Sequence, residues 1–415
     1  MRTEGRAGSI TAVMIFLFVV AIVIPGVTFD QATAATAGTI VSPLAPRNAS
    51  EAAAQAAAIA NYWTPERMAA AQPYPMPKIY VRPGALKDAA AALPPGPPGA
   101  QPGYNPQDKN SSKVTYPQTF DRSADPVLSR SRAGSGSVAP ASAGYPSANS
   151  TFEYQGGYRV FPPSTIGKLF FTQNGGGYVC SASLIGYKHV VTAGHCISDG
   201  SGNWSSSVMF CPSYDSSQGG VNPVTGCWTT NAVATSSAWH YNAEADADIG
   251  MAIYGNSGTI INNYPGTALG WLGYAWNWGI GQAIMMFGYP QADRANTAHN
   301  VYTDFNGGKI YTTAAEEAGY TINWGGSYPP SKFIGTTQTP GMSGGPWVKQ
   351  WGRKYISTWN GNYVNGVNSH LRCWDAGCTD LYLEVSSPQF TYTGGDCSGG
   401  GVVDVIKCVI NTLYP

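Results

Sequence analysis

Apolar residues fall into two regimes along this chain. Near the start they form one run, from about Ile10 to Ile24. From about Tyr158 onward they come in short bursts separated by Gly, Asn and Pro. The bursts are Lys168-Leu169-Phe170-Phe171, Val179 to Ile185, His189-Val190-Val191, Ile249 to Ile253, Ala283 to Phe287 and Lys354 to Thr358. None alternates with a long helical pattern, so this part is expected to be all-β. The exception is the end, where Val402, Ile406, Val409 and Leu413 recur at helical spacing and predict one amphipathic helix. So many short strands leave edges to protect, and closing the sheets into barrels removes them. Periodicity alone does not separate barrel from sandwich.

The region between the regimes, 38–157, is rich in Ala and Pro. Its run Leu93-Pro94-Pro95-Gly96-Pro97-Pro98-Gly99 excludes helix and inner strand. Two local helices are expected inside it, one opening at Ser50 before Glu51-Ala52-Ala53-Ala54-Gln55, the other at Thr64 with Pro65 in its first position. Too few large apolar residues occur to build a core, so most of this segment is expected to be mobile. Arg2 and Arg6 before the first apolar run, Pro25-Gly26 after it, and the small residues of Ala32-Thr33-Ala34-Ala35-Thr36-Ala37 read as a cleavable export signal over 1–37. The competing reading is an uncleaved anchor, but the run is shorter than the roughly 20 apolar residues that span a bilayer. The mature chain is then secreted and extracellular, touching a membrane only in transit.

Length and charge narrow the classes. The 415 residues carry 23 basic and 23 acidic side chains, with no basic stripe for nucleic acid. The eight cysteines are Cys180, Cys196, Cys211, Cys227, Cys373, Cys378, Cys397 and Cys408, and they cluster as four sequence-local pairs. They read as four disulfides in an oxidising compartment, with Cys196 able to bridge to Cys180 and Cys397 to Cys408. A zinc site is disfavoured, because Cys373 and Cys378 have no second pair at ligand spacing. No metal and no cofactor are expected.

Three strings carry chemistry: Thr192-Ala193-Gly194-His195-Cys196, Asp248-Ile249-Gly250 and Gly341-Met342-Ser343-Gly344-Gly345-Pro346. A serine hydroxyl is a poor nucleophile without a base, and the base needs an orienting group. His195 follows an apolar strand at a tight small-residue turn, a setting that His189, His240, His299 and His370 lack. Asp248 opens the apolar run of its strand and is the best orienting carboxylate, with Asp246 and Glu244 as neighbours to weigh. Ser343 is the candidate nucleophile. Its flanking glycines permit a sharp turn that aims the amides of Gly341 and Ser343 inward as an oxyanion hole. Gly341 to Gly345 also fits the serine elbow of esterases. That class runs serine, acid, histidine, and the one histidine after Ser343, His370, comes too soon.

The order His, Asp, Ser, and the first string letter for letter, resemble the chymotrypsin-type serine peptidases. Over roughly 158–390 the strings Gly167-Lys168-Leu169-Phe170-Phe171, Phe287-Gly288-Tyr289-Pro290 and Gly366-Val367-Asn368-Ser369 are similar to exported bacterial trypsin-like and glutamyl-endopeptidase-like members. The string Tyr62-Trp63-Thr64-Pro65-Glu66-Arg67-Met68 resembles propeptides of actinobacterial ones. The resemblance implies two antiparallel six-stranded-type barrels, about 158–265 and 266–415, flanking a cleft, with a short C-terminal helix. It also implies a secreted endopeptidase made as a zymogen, with 38–157 as propeptide or linker. Such an enzyme would be a monomer acting on proteins or peptides through an acyl-enzyme. A strand through Val367, Asn368 and Ser369 would wall the specificity pocket, with Thr337 at its base and His370 on the same side as Asn368. Thr337 stands where trypsin-type members carry aspartate, and Asn368 where glutamyl endopeptidases carry histidine, so neither specificity is implied. The alternative from another class is a catalytically silent exported binding module on a protease scaffold.

Overall fold

The computed structural model describes residues 38–80, 86–88, 96–106, 149–157, 159–222, 225–255, 264–291, 305–352, 361–373, 376–378 and 381–415. The expected signal over 1–37 and the expected strand Lys354 to Thr358 lie outside the described residues. Among the described residues no helix is long and apolar enough to cross a membrane.

Six short strands come from the leading segment: β1 (Thr39–Val41), β2 (Gln72–Pro73), β3 (Lys78–Tyr80), β4 (Leu86–Asp88), β5 (Gly99–Gln101) and β6 (Phe152–Glu153). The first half of the following chain has β7 (Ile166–Gln173), β8 (Gly176–Leu184), β9 (His189–Thr192), β10 (Ser206–Pro212), β11 (Trp228–Ser236) and β12 (Gly250–Tyr254). These six strands pair in the order β11-β10-β7-β8-β9-β12, and pairing of β11 with β12 closes the barrel. The β7–β8 hairpin turns through Asn174-Gly175, both at positive φ (49° and 81°), the two-residue turn whose twist matches the flanking strands. Inside the barrel, Leu169, Phe171, Val190, Phe210, Trp228, Ala252 and Tyr254 pack together.

The second half has β13 (Gly273–Trp276), β14 (Ala283–Gly288), β15 (Tyr311–Glu316), β16 (Tyr320–Ile322), β17 (Ser331–Gly335), β18 (Pro346–Lys349), β19 (Tyr363–Val367), β20 (Leu371–Cys373) and β21 (Leu381–Ser387). The all-β architecture of two barrel-like halves is as expected, with the second one open. One sheet runs β5-β13-β19-β18-β14-β15-β6 and the other β3-β20-β21-β17-β16-β4, so the second unit is a half-barrel of two sheets. Its ladder breaks at Asn368 to His370, between β19 and β20.

Among the described residues of the leading segment, the buried apolar side chains pack into clusters shared with the two halves. Apolar side chains on both faces of β7 explain why. Leu169 and Phe171 point into the barrel, while Phe170 joins Val179 and Met209 on the outside. Helix α1 (Ala49–Tyr62) and helix α2 (Pro65–Ala70) cover that outer face with Ile59, Trp63 and Met68. The Trp63 indole donates to the Ser207 carbonyl at 2.6 Å. Thr64 caps α2 with Pro65 in its first turn, as expected. Asn48 rather than Ser50 caps α1, accepting from the Glu51 amide at 2.9 Å.

All four sequence-local cysteine pairs are bridged: Cys180–Cys196, Cys211–Cys227, Cys373–Cys378 and Cys397–Cys408. Cys211 lies on β10 and Cys227 directly precedes β11, so their bridge closes the connection between these two strands. Both pack in the outer cluster beneath the leading helices, Cys211 fully buried and Cys227 partly so. The Cys397–Cys408 bridge ties the closing helix, Val402–Lys407 with a wider turn to Leu413, to the preceding loop. Beyond that turn, the Tyr414 carbonyl is 2.8 Å from His189 Nε2 on β9, which donates to it. Burial pushes the His189 imidazole down to about 4. In the fold it stays neutral, whereas the unfolded chain binds its proton near pH 6.5. The contribution is therefore fully present above about pH 6.5 and is lost as pH falls toward 4. Unfolding of the His189→Gln variant, followed against pH, should show a shallower loss of stability in that window; an unchanged slope would remove His189 as its source.

Candidate active site

Antiparallel pairing of β9 with β12 brings Thr192 opposite Gly250, so the segments leaving these strands emerge together. On one, the chain enters a single turn, Gly194–Cys196, held to β8 by the Cys180–Cys196 bridge. On the other, Asp248 closes a turn before the apolar strand. Gly194 is required for their approach, because a Cβ there would lie 2.7 Å from the Trp239 ring and 2.9 Å from Asp248 Oδ1. His195 donates twice to this carboxylate: its amide to Oδ1 at 2.8 Å and its Nδ1–H to Oδ2 at 2.8 Å. Ser369, between β19 and β20, donates its hydroxyl to Oδ2 at 2.6 Å. That commits the Ser369 proton, so the hydroxyl oxygen accepts from Nδ1–H of His370. Asp248 is 0% exposed. Burial works against its charge, but the His195 imidazole and its hydrogen bond, followed by His370 and Ser369, hold its carboxyl below the usual carboxylate range.

The serine turn is built against β8. Gly341 and Gly344 have φ of 102° and 77°, values that favour glycine. The Ser181 amide donates to the Ser343 carbonyl at 2.7 Å, and the Ser181 hydroxyl to the Gly341 carbonyl at 2.9 Å. Those bonds anchor the turn from outside. The Gly341 and Ser343 amides donate no hydrogen bond among the described residues. Ser343 is 0% and His195 1% exposed, and among the described residues Ser343 Oγ and His195 Nε2 each lack a hydrogen-bond partner.

Neither alternative acid faces His195. Asp246 accepts from the Ser331 amide and hydroxyl at 2.8 and 2.7 Å and from the Trp324 amide at 3.0 Å. Glu244 accepts from the Ser327 amide at 2.8 Å. Of the remaining histidines, His240 bonds Ser198 and stacks on Trp204, and His299 lies outside the described residues. Cys180, His195 and Cys196 are close enough to share an ion, but the two sulfurs are bonded to each other.

The expected pocket wall needs correction. The strand stops at Val367, whose amide donates to Ser387 Oγ at 2.9 Å. Asn368 braces the serine turn instead of facing a ligand. Its side-chain amide donates to the Phe287 and Met342 carbonyls at 3.1 and 2.9 Å, and its Oδ1 accepts from the Trp347 indole at 2.7 Å. Because the ladder breaks there, Ser369 and His370 turn toward Asp248. Burial brings the His370 imidazole down to about 4, against the pull of Asp248. Thr337 accepts from the Thr151 amide at 3.0 Å, so the end of the leading segment occupies it.

No family model matches the chain, and no curated protein sequence matches it. Solved structures do. The chain is similar to the protease Anisep from Arthrobacter nicotinovorans, at 26% identity over 55% of this chain and 91% of that one, with a TM-score of 0.43. It is similar to the thermostable serine protease AL20 from an extremophilic microorganism, at 26% identity over 55% and 92% of the two chains, TM-score 0.42. A Glu endopeptidase aligns at 14% identity over 63% and 96%, TM-score 0.42.

Ser181 and Tyr74 escaped the sequence reading, and Thr192 entered it only as the first letter of the histidine string. Ser181 and Thr192 are small polar residues inside apolar strands. Ser181 holds the serine turn, and Thr192 donates to the Ser181 carbonyl at 2.9 Å. Tyr74 comes from the leading segment and stacks on the His195 ring, centroids 5.8 Å apart and planes 19° from parallel. A cavity of about 330 Å³ beside His195 is lined by Tyr74, Pro75, Pro77, Tyr178 and Trp239 among others.

The tightest contact between the halves tests this packing. A Cβ on Gly344 would lie 1.9 Å from Thr192 Oγ1 and 2.5 Å from the Ser181 carbonyl, at a left-handed backbone position. Gly344→Ala should therefore cost on the order of 2–4 kcal/mol. Urea unfolding measures it, and a loss below about 1 kcal/mol would mean the turn relaxes freely.

Proposed function

We propose that this chain is an exported serine endopeptidase, made with a leading segment over 38–157 that is removed on activation. The observation that carries the reading is the buried Asp248 carboxylate. It accepts the Nδ1–H of His195, so the basic nitrogen of that ring is Nε2. In this reading Nε2 takes the Ser343 proton while Ser343 Oγ bonds to the peptide carbonyl carbon. The resulting oxyanion accepts hydrogen bonds from the Gly341 and Ser343 amides. His195 then gives the proton to the departing amine as the C–N bond breaks, and water hydrolyses the ester on Ser343 by the same relay. Asp248 stabilises the imidazolium at each stage without itself taking the proton. Ser369 and His370 support Asp248 from the second half. The four disulfides suit an oxidising extracellular compartment. Substrates are proteins or peptides, and the enzyme acts as a monomer without cofactor or nucleic acid.

Ser343→Ala should abolish both casein cleavage and fluorophosphonate labelling. Asp248→Asn should keep the fold while lowering kcat about 10⁴-fold, because the imidazole then takes the wrong tautomer. Casein cleavage that survives Ser343→Ala would sink the assignment. Absence of any acyl-enzyme burst in the activated enzyme, after removal of 38–157, would return it to the silent binding module.

A further inference from the structure

The stretch Ala71 to Tyr80 crosses the face of the site. Its sequence, Pro73-Tyr74-Pro75-Met76-Pro77, places proline at every second position. Each ring fixes its own φ and holds the preceding residue extended, so the stretch is stiff before it meets anything. It touches both halves of the fold. Gln72 and Pro73 lie beside Tyr178 and Val179 of β8, and the Tyr74 amide donates to the Val179 carbonyl at 3.0 Å. Lys78 to Tyr80 pair with Leu371 to Cys373, and the Leu371 amide donates to the Pro77 carbonyl at 2.9 Å. Gln291 links the start of the stretch to the serine turn: its side-chain amide donates to the Ala71 carbonyl at 2.7 Å, and its own amide to Pro340 at 2.9 Å.

Between these anchors, Tyr74 covers the His195 ring and Met76 is buried. Met76 packs in a cluster with Met342, the residue before Ser343, and with Met286, Ile334, Trp347, Leu371 and Val385. The cation beside that cluster, Lys332 over the Trp347 ring at 5.4 Å, is already paired with Glu317. Resting on the peptidase reading above, we infer that Ala71 to Tyr80 is a built-in occupant of the substrate cleft, and that the Met76 pocket selects a medium-sized apolar side chain at the bond to be cut. The occupant is also poorly suited to being cut. The bond after Met76 leads to Pro77, whose nitrogen carries no hydrogen and whose ring restricts both residues. Arginine, lysine or glutamate would bring an unpaired charge into an apolar site.

The test uses the full chain. Fluorophosphonate labelling of Ser343 should be slow in the native chain and at least about tenfold faster in Tyr74→Ala and Met76→Asp, since expelling a buried methionine outweighs a factor of ten. Met76→Leu should stay slow and serves as the folded control. The Met76→Asp chain is then offered peptidyl diphenyl phosphonates carrying a leucine-like, a glutamate-like or a lysine-like side chain, and the leucine-like probe should react fastest. Equal labelling of native and variant chains overturns the occupant. Fast labelling with preference for a charged probe overturns the pocket. If no chain reacts with any probe, the peptidase reading falls and takes this inference with it.

Discussion

A buried carboxylate organises this molecule. Asp248 has no access to water, and an ion in that position is tolerated only when its oxygens are fully paired. The donors come from distant parts of the chain: an amide and an imidazole from the turn after β9, and a hydroxyl from the break between β19 and β20. Meeting that one requirement aligns the end of the closed barrel with the half-barrel. It also dictates the glycine at 194, since any side chain there would displace the carboxylate. The Ser343 turn completes the junction by resting on Ser181 of β8.

Sequence patterning reached the parts of this arrangement that are local. The turn after β9, the aspartate opening the strand, the glycine-flanked serine and all four cysteine pairs are each contained in a short string. What it could not reach depends on distant partners. The strand it opens marks Asp248 as the better acid, but nothing local tells what Asp246 does. Both are buried, and Asp246 meets Ser331, 85 residues further on. Lys332 and Lys349 are both buried against Glu317, at 2.6 and 3.2 Å, a pairing that no local string contains. The strand expected through Val367, Asn368 and Ser369 fails because Asn368 is needed to brace the serine turn. Nothing within those three letters signals that demand.

The leading segment shows composition and context diverging. Its composition offers few residues to form a core alone. The barrel, however, presents Phe170 on its outer face, and Ile59, Trp63 and Met68 bury it. A segment that cannot fold by itself thus gains order from an apolar surface that the rest of the chain leaves uncovered.

Where this segment pairs matters beyond the cleft. β5 and β6 end one sheet of the half-barrel, and β3 and β4 end the other. These outermost strands are two or three residues long. Pro98 and Pro102 bracket β5, and Pro77 precedes β3. A longer bare strand would offer a row of unpaired amides and carbonyls to a second molecule, the usual template for sheet growth between chains. Here the rows are spent on the chain's own backbone, and the terminal pieces are too short to recruit another. The intact chain is in this way insulated against polymerising through its sheets, a colloidal safeguard lodged in the leading segment.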